Sequence, residues 1–246
     1  MMIETLIALI AAHLAADFLL QPDALVRRKR NVLVLFANAV IVLLVAILAL
    51  GGIPVWLLVI LLFTHVVMDA IKVYALPDRL WSFCVDQGMH FVVIAGLAIF
   101  FPNAFQNGWW PTLPAGWTEG YLVALCLISG LTASIQMGAI LIRKAVVGLS
   151  LEIGDPASGL SNGGYLIGCL ERALIMLLIL MGQPGGVGFL VAAKSILRFG
   201  DVQNERKMTE YIIIGTLMSF GWGLLVASLT SLGLHHVLPS LTLIRQ

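Results

Sequence analysis

Three pairs of ionisable residues, His13/Asp17, His65/Asp69 and Asp86/His90, lie inside apolar stretches of the chain. In each pair the partners stand four positions apart, which on a helix stacks two side chains on one face about 6 Å apart. That spacing suits co-ligation of an ion, or orientation of a ligand by a carboxylate. Three of the five histidines fall in these pairs, and a lone charge at membrane depth costs several kcal/mol, so every carboxylate there needs a partner. The ordinary alternative is a set of interhelical hydrogen bonds or a proton relay. Three pairs at one depth favour a metal site made of His13, Asp17, His65, Asp69, Asp86 and His90.

Imidazole and carboxylate donors without thiolate suit a divalent metal, zinc first, with manganese or iron as alternatives. The set can hold one ion with outer carboxylates, or two ions bridged by an aspartate. If the site is catalytic, the ion acidifies a bound water and a carboxylate, Asp17, Asp69 or Asp86, is the natural general base. A second polar layer, Lys72, Glu171, Arg172, Lys194 and Arg198, offers cations for an anionic substrate group. Its plainer use is neutralisation of Glu171 by Lys194 or Arg198, with long side chains snorkelling to the interface. Ser195 beside Lys194 is a weak nucleophile candidate, because adjacent helical residues point about 100° apart.

These residues must be carried by membrane helices. Of the 246 residues 60% are apolar and 11% charged, whereas soluble domains carry about 25% charged residues. Runs of about 20 apolar residues recur, the length that crosses a hydrocarbon core as a helix. The expected fold is all-α, a polytopic bundle of about eight spans near 3–20, 31–50, 53–75, 81–101, 120–142, 163–182, 186–199 and 209–232. The span at 186–199 is short for a full crossing. Residues 1–102 form an N-terminal half carrying the His/Asp pairs, and 120–246 a C-terminal half. The first run lacks the positive flank of a secretory signal and is read as a permanent span.

Alternating the spans places Arg27–Arg30, Arg79, Arg143, Lys144, Arg206 and Lys207 on one side, which the positive-inside rule makes cytoplasmic. Both termini then lie outside, as does the loop holding Trp109, Trp110 and Trp117. The three pairs fall at one level in the cytoplasmic half. Net charge is +1, with no broad basic face, so nucleic acid is not an expected partner. Cys84, Cys126 and Cys169 sit in apolar runs without paired spacing and read as packing residues. His235 and His236 read as solvated tail residues.

The segment 150–164 is polar enough for a lid or for an ordinary connector, and its Glu152, Asp155 and Asn162 are weaker site candidates. His13-x-x-x-Asp17 and His65-x-x-x-Asp69 echo each other in spans one and three, a faint sign of a duplicated hairpin that would bring Asn38 to the same cavity.

The motif from His13 through Asp17 and Phe18 to Gln21, the two further pairs, and the stretches Leu170-Glu171-Arg172, Ala193-Lys194-Ser195 and Glu210-Tyr211 resemble a bacterial family of polytopic membrane proteins with a domain of unknown function, number 3307. The resemblance implies a multi-pass protein of the bacterial inner membrane and supplies no activity. A looser likeness, in ligand chemistry alone, is to membrane-bound metal-dependent hydrolases. The expected function is a metal-dependent membrane hydrolase acting on a lipid-like or headgroup-bearing substrate from the cytoplasmic side. The alternative is a cation or proton-coupled transporter using the same cluster.

Overall fold

The computed structural model describes residues 1–114, 116–153, 162–199 and 206–239, and among them every regular element is helical. Seven helical stretches are long and apolar enough to cross a membrane: Met2–Leu19, Val32–Leu50, Val55–Ala75, Leu80–Phe100, Trp117–Ser150, Gly163–Leu180 and Lys207–Val237. Apolar side chains that face outward, among them Phe63, Val92 and Leu48, suit contact with hydrocarbon. This is the build of a multi-pass membrane protein. The run expected to be short is short: Gly185–Ile196 falls below crossing length. Seven of the eight expected runs therefore reach full length.

The chain divides into two compact units, one made of Met1–Thr132 and one built on Ala133–His235. The first holds α1 (Met2–Leu14), a π-helical turn at Ala15–Leu19, α2 (Asp23–Arg28), α3 (Val32–Leu50), α4 (Val55–Ala75), α5 (Leu80–Phe100) and α6 (Trp117–Thr132). Helix α1 packs against α3, α5 and α6, and α4 closes the ring by packing on α3 and α5. Small side chains allow this: Ala8, Ala11, Ala12 and Ala16 are buried and let neighbouring helix backbones approach.

Two devices fix the ends. Asn31 caps α3 by accepting from the Leu33 N–H at 2.9 Å, which satisfies a donor that the first turn leaves open. At the other end Gly51 adopts φ 68° and returns its N–H to Ile47 and Leu48 carbonyls, a left-handed cap that glycine adopts without steric penalty. Trp110 Nε1 and Tyr121 Oη donate to the Leu48 carbonyl, at 2.8 and 3.3 Å, and their rings stack with centroids 3.9 Å apart. The Trp-rich loop is thus an aromatic clasp over the end of α3.

The second unit holds a second π-helical turn at Ala133–Met137, then α7 (Gly138–Ile153), α8 (Gly163–Leu180), α9 (Gly185–Phe199) and α10 (Arg206–Val237). Ile175, Val187 and Phe220 form one of its buried clusters.

Candidate metal centre

The first unit brings all three pairs into one buried cluster. Helix α1 supplies His13, α4 supplies His65 and Asp69, α5 supplies Asp86 and His90, and the π turn after α1 supplies Asp17. His13, His65, Asp69 and His90 are no more than 3% exposed and Asp86 is 5% exposed. One donor nitrogen from each of His13, His65 and His90 lies within 4.8 Å of the others, and Asp69, Asp86 and His90 form a second such group. The His13 and His90 rings are stacked, and His65 meets His90 edge-on.

Hydrogen bonds fix the rings. His90 Nδ1 lies 2.8 Å from the Asp86 carbonyl, which only accepts, so Nδ1 carries the proton. In the neutral ring Nε2 then accepts, and its neighbour at 3.1 Å, His65 Nδ1, donates. His65 Nε2 in turn accepts from Asn38 Nδ2 at 3.3 Å. Asn38 Oδ1 accepts from Gln21 Nε2, which fits that amide orientation. On the far side Gln87 donates to Asp86 Oδ2 at 3.0 Å, so its Oε1 receives His13 Nε2–H at 3.2 Å. His13 Nδ1 is left with its lone pair.

The carboxylates share a pattern. Asp69 Oδ2 accepts from Lys29 at 2.9 Å and from Asn38 at 3.1 Å, and Asp86 Oδ2 accepts from Lys72 and Gln87. The Oδ1 atoms of Asp17, Asp69 and Asp86 are all buried and accept no hydrogen bond from the described residues. Asp17 meets His13 Nδ1 and His65 Nε2 only at 3.8 and 3.7 Å, too long for hydrogen bonds. The π turn that carries Asp17 inserts an extra residue into the helix, a feature common at functional sites, and leaves Asp17 reaching both histidines.

Lys29, Asn38 and Gln87 complete this cluster, and the sequence offered different amounts of warning for each. Asn38 was expected at the cavity. Gln87 is a polar residue beside Asp86 within a span, a signal that could have been followed. Lys29 stood in a basic run whose default reading is a topology signal, yet it is 7% exposed and bonded to Asp69. Tyr74 Oη, donating to the Arg30 carbonyl at 2.8 Å, pins the turn that delivers it.

Of the expected substrate-binding residues, Lys72 is in the first unit, paired with Asp86. Glu171, Arg172 and Lys194 belong to the second unit. There Lys194 pairs with Glu171 at 2.7 Å. Arg172, 3% exposed, donates to Ser219 Oγ at 3.0 Å and to the Ile135 carbonyl of the second π turn at 3.2 Å. Ser195 Oγ donates to the Val191 carbonyl of its own helix. Asp155 and the side chains of Arg198 and Glu152 lie outside the described residues, whereas Asn162 immediately precedes α8.

No curated protein and no solved structure matches the chain. Residues 5–110, the segment that supplies every donor of this cluster, match the model of the family described as protein of unknown function DUF3307, to which the motifs at His13–Gln21, His65/Asp69 and Asp86/His90 also bear a resemblance.

Proposed function

We propose that the cluster is a metal centre, zinc first among the divalent ions, and that it serves a membrane-embedded hydrolase acting on a lipid-like or headgroup-bearing substrate from the cytoplasmic side. One observation carries the reading: three imidazole nitrogens within 4.8 Å of one another, beside three carboxylates that each keep a buried oxygen without a hydrogen bond among the described residues. The spacing fits. Metal–nitrogen bonds of about 2.0–2.1 Å in a tetrahedron put ligand nitrogens about 3.3–3.4 Å apart, and His65 Nδ1 and His90 Nε2 stand at 3.1 Å.

His13, His65 and His90 would hold the ion. The other ring nitrogen of His90 is anchored on a carbonyl and that of His13 on Gln87, the support that metal-bound imidazoles require. A bound metal supplies Lewis acidity and an acidified water. Asp17, with no hydrogen bond among the described residues, is the carboxylate free to accept a proton. Asp69 and Asp86, tied to lysines through Oδ2, are better suited to orientation and charge.

A second reading, cation transport, draws on the place of His90 in both donor groups. An ion held by the three imidazoles would find Asp69 and Asp86 grouped with the same histidine as its next donors.

Metal analysis of the purified protein tests the centre. One zinc per chain is expected, lost in His65→Ala and in Asp86→Ala with helicity and elution unchanged. A metal-free wild type, or variants that keep their metal, overturns the reading. Turnover of lipid in detergent against ion flux in liposomes separates enzyme from transporter: flux abolished by Asp69→Asn, without turnover, assigns transport.

A further inference from the structure

The two lysines raise a question that neutralisation alone leaves open. An ammonium group carries three donors. Lys29 gives one to Asp69, and Lys72 gives one to Asp86. Lys29 is 7% exposed, so most of its side chain is shielded from bulk water. A buried lysine is costly unless its charge is used, and a well-packed apolar residue serves stability as well.

The carboxylates that the lysines hold are two of the three members of the second donor group, Asp69, Asp86 and His90. Both ammonium groups therefore flank the second donor group, which shares His90 with the three-imidazole group. Three carboxylates, Asp17, Asp69 and Asp86, meet two lysines here. With neutral imidazoles, which metal ligation requires, the cluster carries one negative charge. A divalent ion turns that into one positive charge, in a site where an uncompensated charge is expensive. With the divalent ion bound, one singly charged anion beside it closes the count.

We propose, building on the metal-centre reading, that the site binds one singly charged phosphate group, with one oxygen toward the metal and the other toward the ammonium groups of Lys29 and Lys72. Lysine binds phosphate as a point charge, and two lysines beside a metal form a three-point cationic surround. Lys72, with its side chain 32% exposed, marks the open flank, and Lys29, at 8%, the closed one. The phosphate can belong to a lipid headgroup or be free in solution, and the chemistry is shared.

A lysine ammonium also repels a cation bound nearby, so removing it favours the metal, which gives the proposal a sign that a structural role lacks. The full chain in nanodiscs is loaded with cobalt, whose visible spectrum reports its ligands. It is then titrated with inorganic phosphate in discs of a phosphate-free glycolipid, or placed in discs containing phosphatidylglycerol. The expected result is a spectral change with at least one phosphate source. Lys29→Met and Lys72→Met should each weaken that response at least tenfold while binding cobalt as tightly as wild type or more tightly, and Lys29→Arg should restore it in part. A response to phosphatidylglycerol alone assigns the headgroup, and a response to inorganic phosphate alone assigns the free ion. Cobalt binding with no response, a response to acetate alone, or methionine variants that lose cobalt and phosphate together overturns the phosphate site and leaves the metal centre standing. Failure to bind cobalt overturns both.

Discussion

At the scale of the residue, the cluster has one self-consistent proton arrangement, and an ion must change it. His65 Nδ1–H points at His90 Nε2. An ion between these nitrogens requires the His65 proton to move to Nε2, which faces Asp17 Oδ1 and Asp69 Oδ2, each at 3.7 Å. The Asn38 amide, which now donates to that nitrogen, must turn away. Nitrogen-15 spectra of histidine-labelled protein should show Nδ1-protonated His65 and His90 without metal. Zinc should convert His65 to the Nε2-protonated form and leave His90 unchanged. A His65 tautomer indifferent to zinc would exclude this placement of the ion. The pairs themselves were legible because i,i+4 spacing is a property of one helix. Lys29 was not, since whether a basic residue snorkels outward or turns inward depends on a turn held at Arg30 by Tyr74, 44 positions further on.

The elements show what holds the donors in register. Helix α3 carries Asn38, and its far end is fixed by Gly51 under the Trp110 ring. A Cβ added at Gly51 would collide with Trp110 Cδ1, on a backbone with φ 68°. The left-handed conformation alone costs a residue with a side chain roughly 1–2 kcal/mol. Gly51→Ala should lower the thermal midpoint in detergent by several degrees, and Trp110→Ala should act in the same direction by removing the clasp. Zinc stoichiometry should persist in both, because the clasp lies at the opposite end of α3 from the Asn31 cap. An unchanged midpoint in Gly51→Ala would refute the clasp. Composition foretold that the Trp-rich loop would be amphipathic. That its rings close a helix end was hidden, since it depends on long-range contacts, as do the π turns.

For the whole molecule, hydropathy located the crossings because about 20 apolar residues are needed wherever hydrocarbon must be traversed. It could not locate the compact units. The sequence halves part at the Trp-rich loop, whereas the units part between Thr132 and Ala133, because α6 packs on α1. Helix α9 decides the topology. Its apolar stretch Gly185–Ile196 spans about 18 Å at 1.5 Å per residue, so its charged end must complete any crossing. Arg206 and Lys207 follow it and favour a cytoplasmic return. A C-terminal alkaline phosphatase fusion should therefore be active, with both termini outside. A fluorescent cytoplasmic GFP fusion at the same end would show that α9 turns back within the membrane.

Every donor of the centre lies between His13 and His90, and the turn bearing Lys29 lies within the same interval. During synthesis this stretch leaves the ribosome before the second unit does. By the time α6 emerges, all six His/Asp residues of the three pairs have left the ribosome, so the ion can be captured while the second unit is still unmade. If the cluster is the metal centre proposed above, the order of translation separates acquisition of the metal from completion of the second unit.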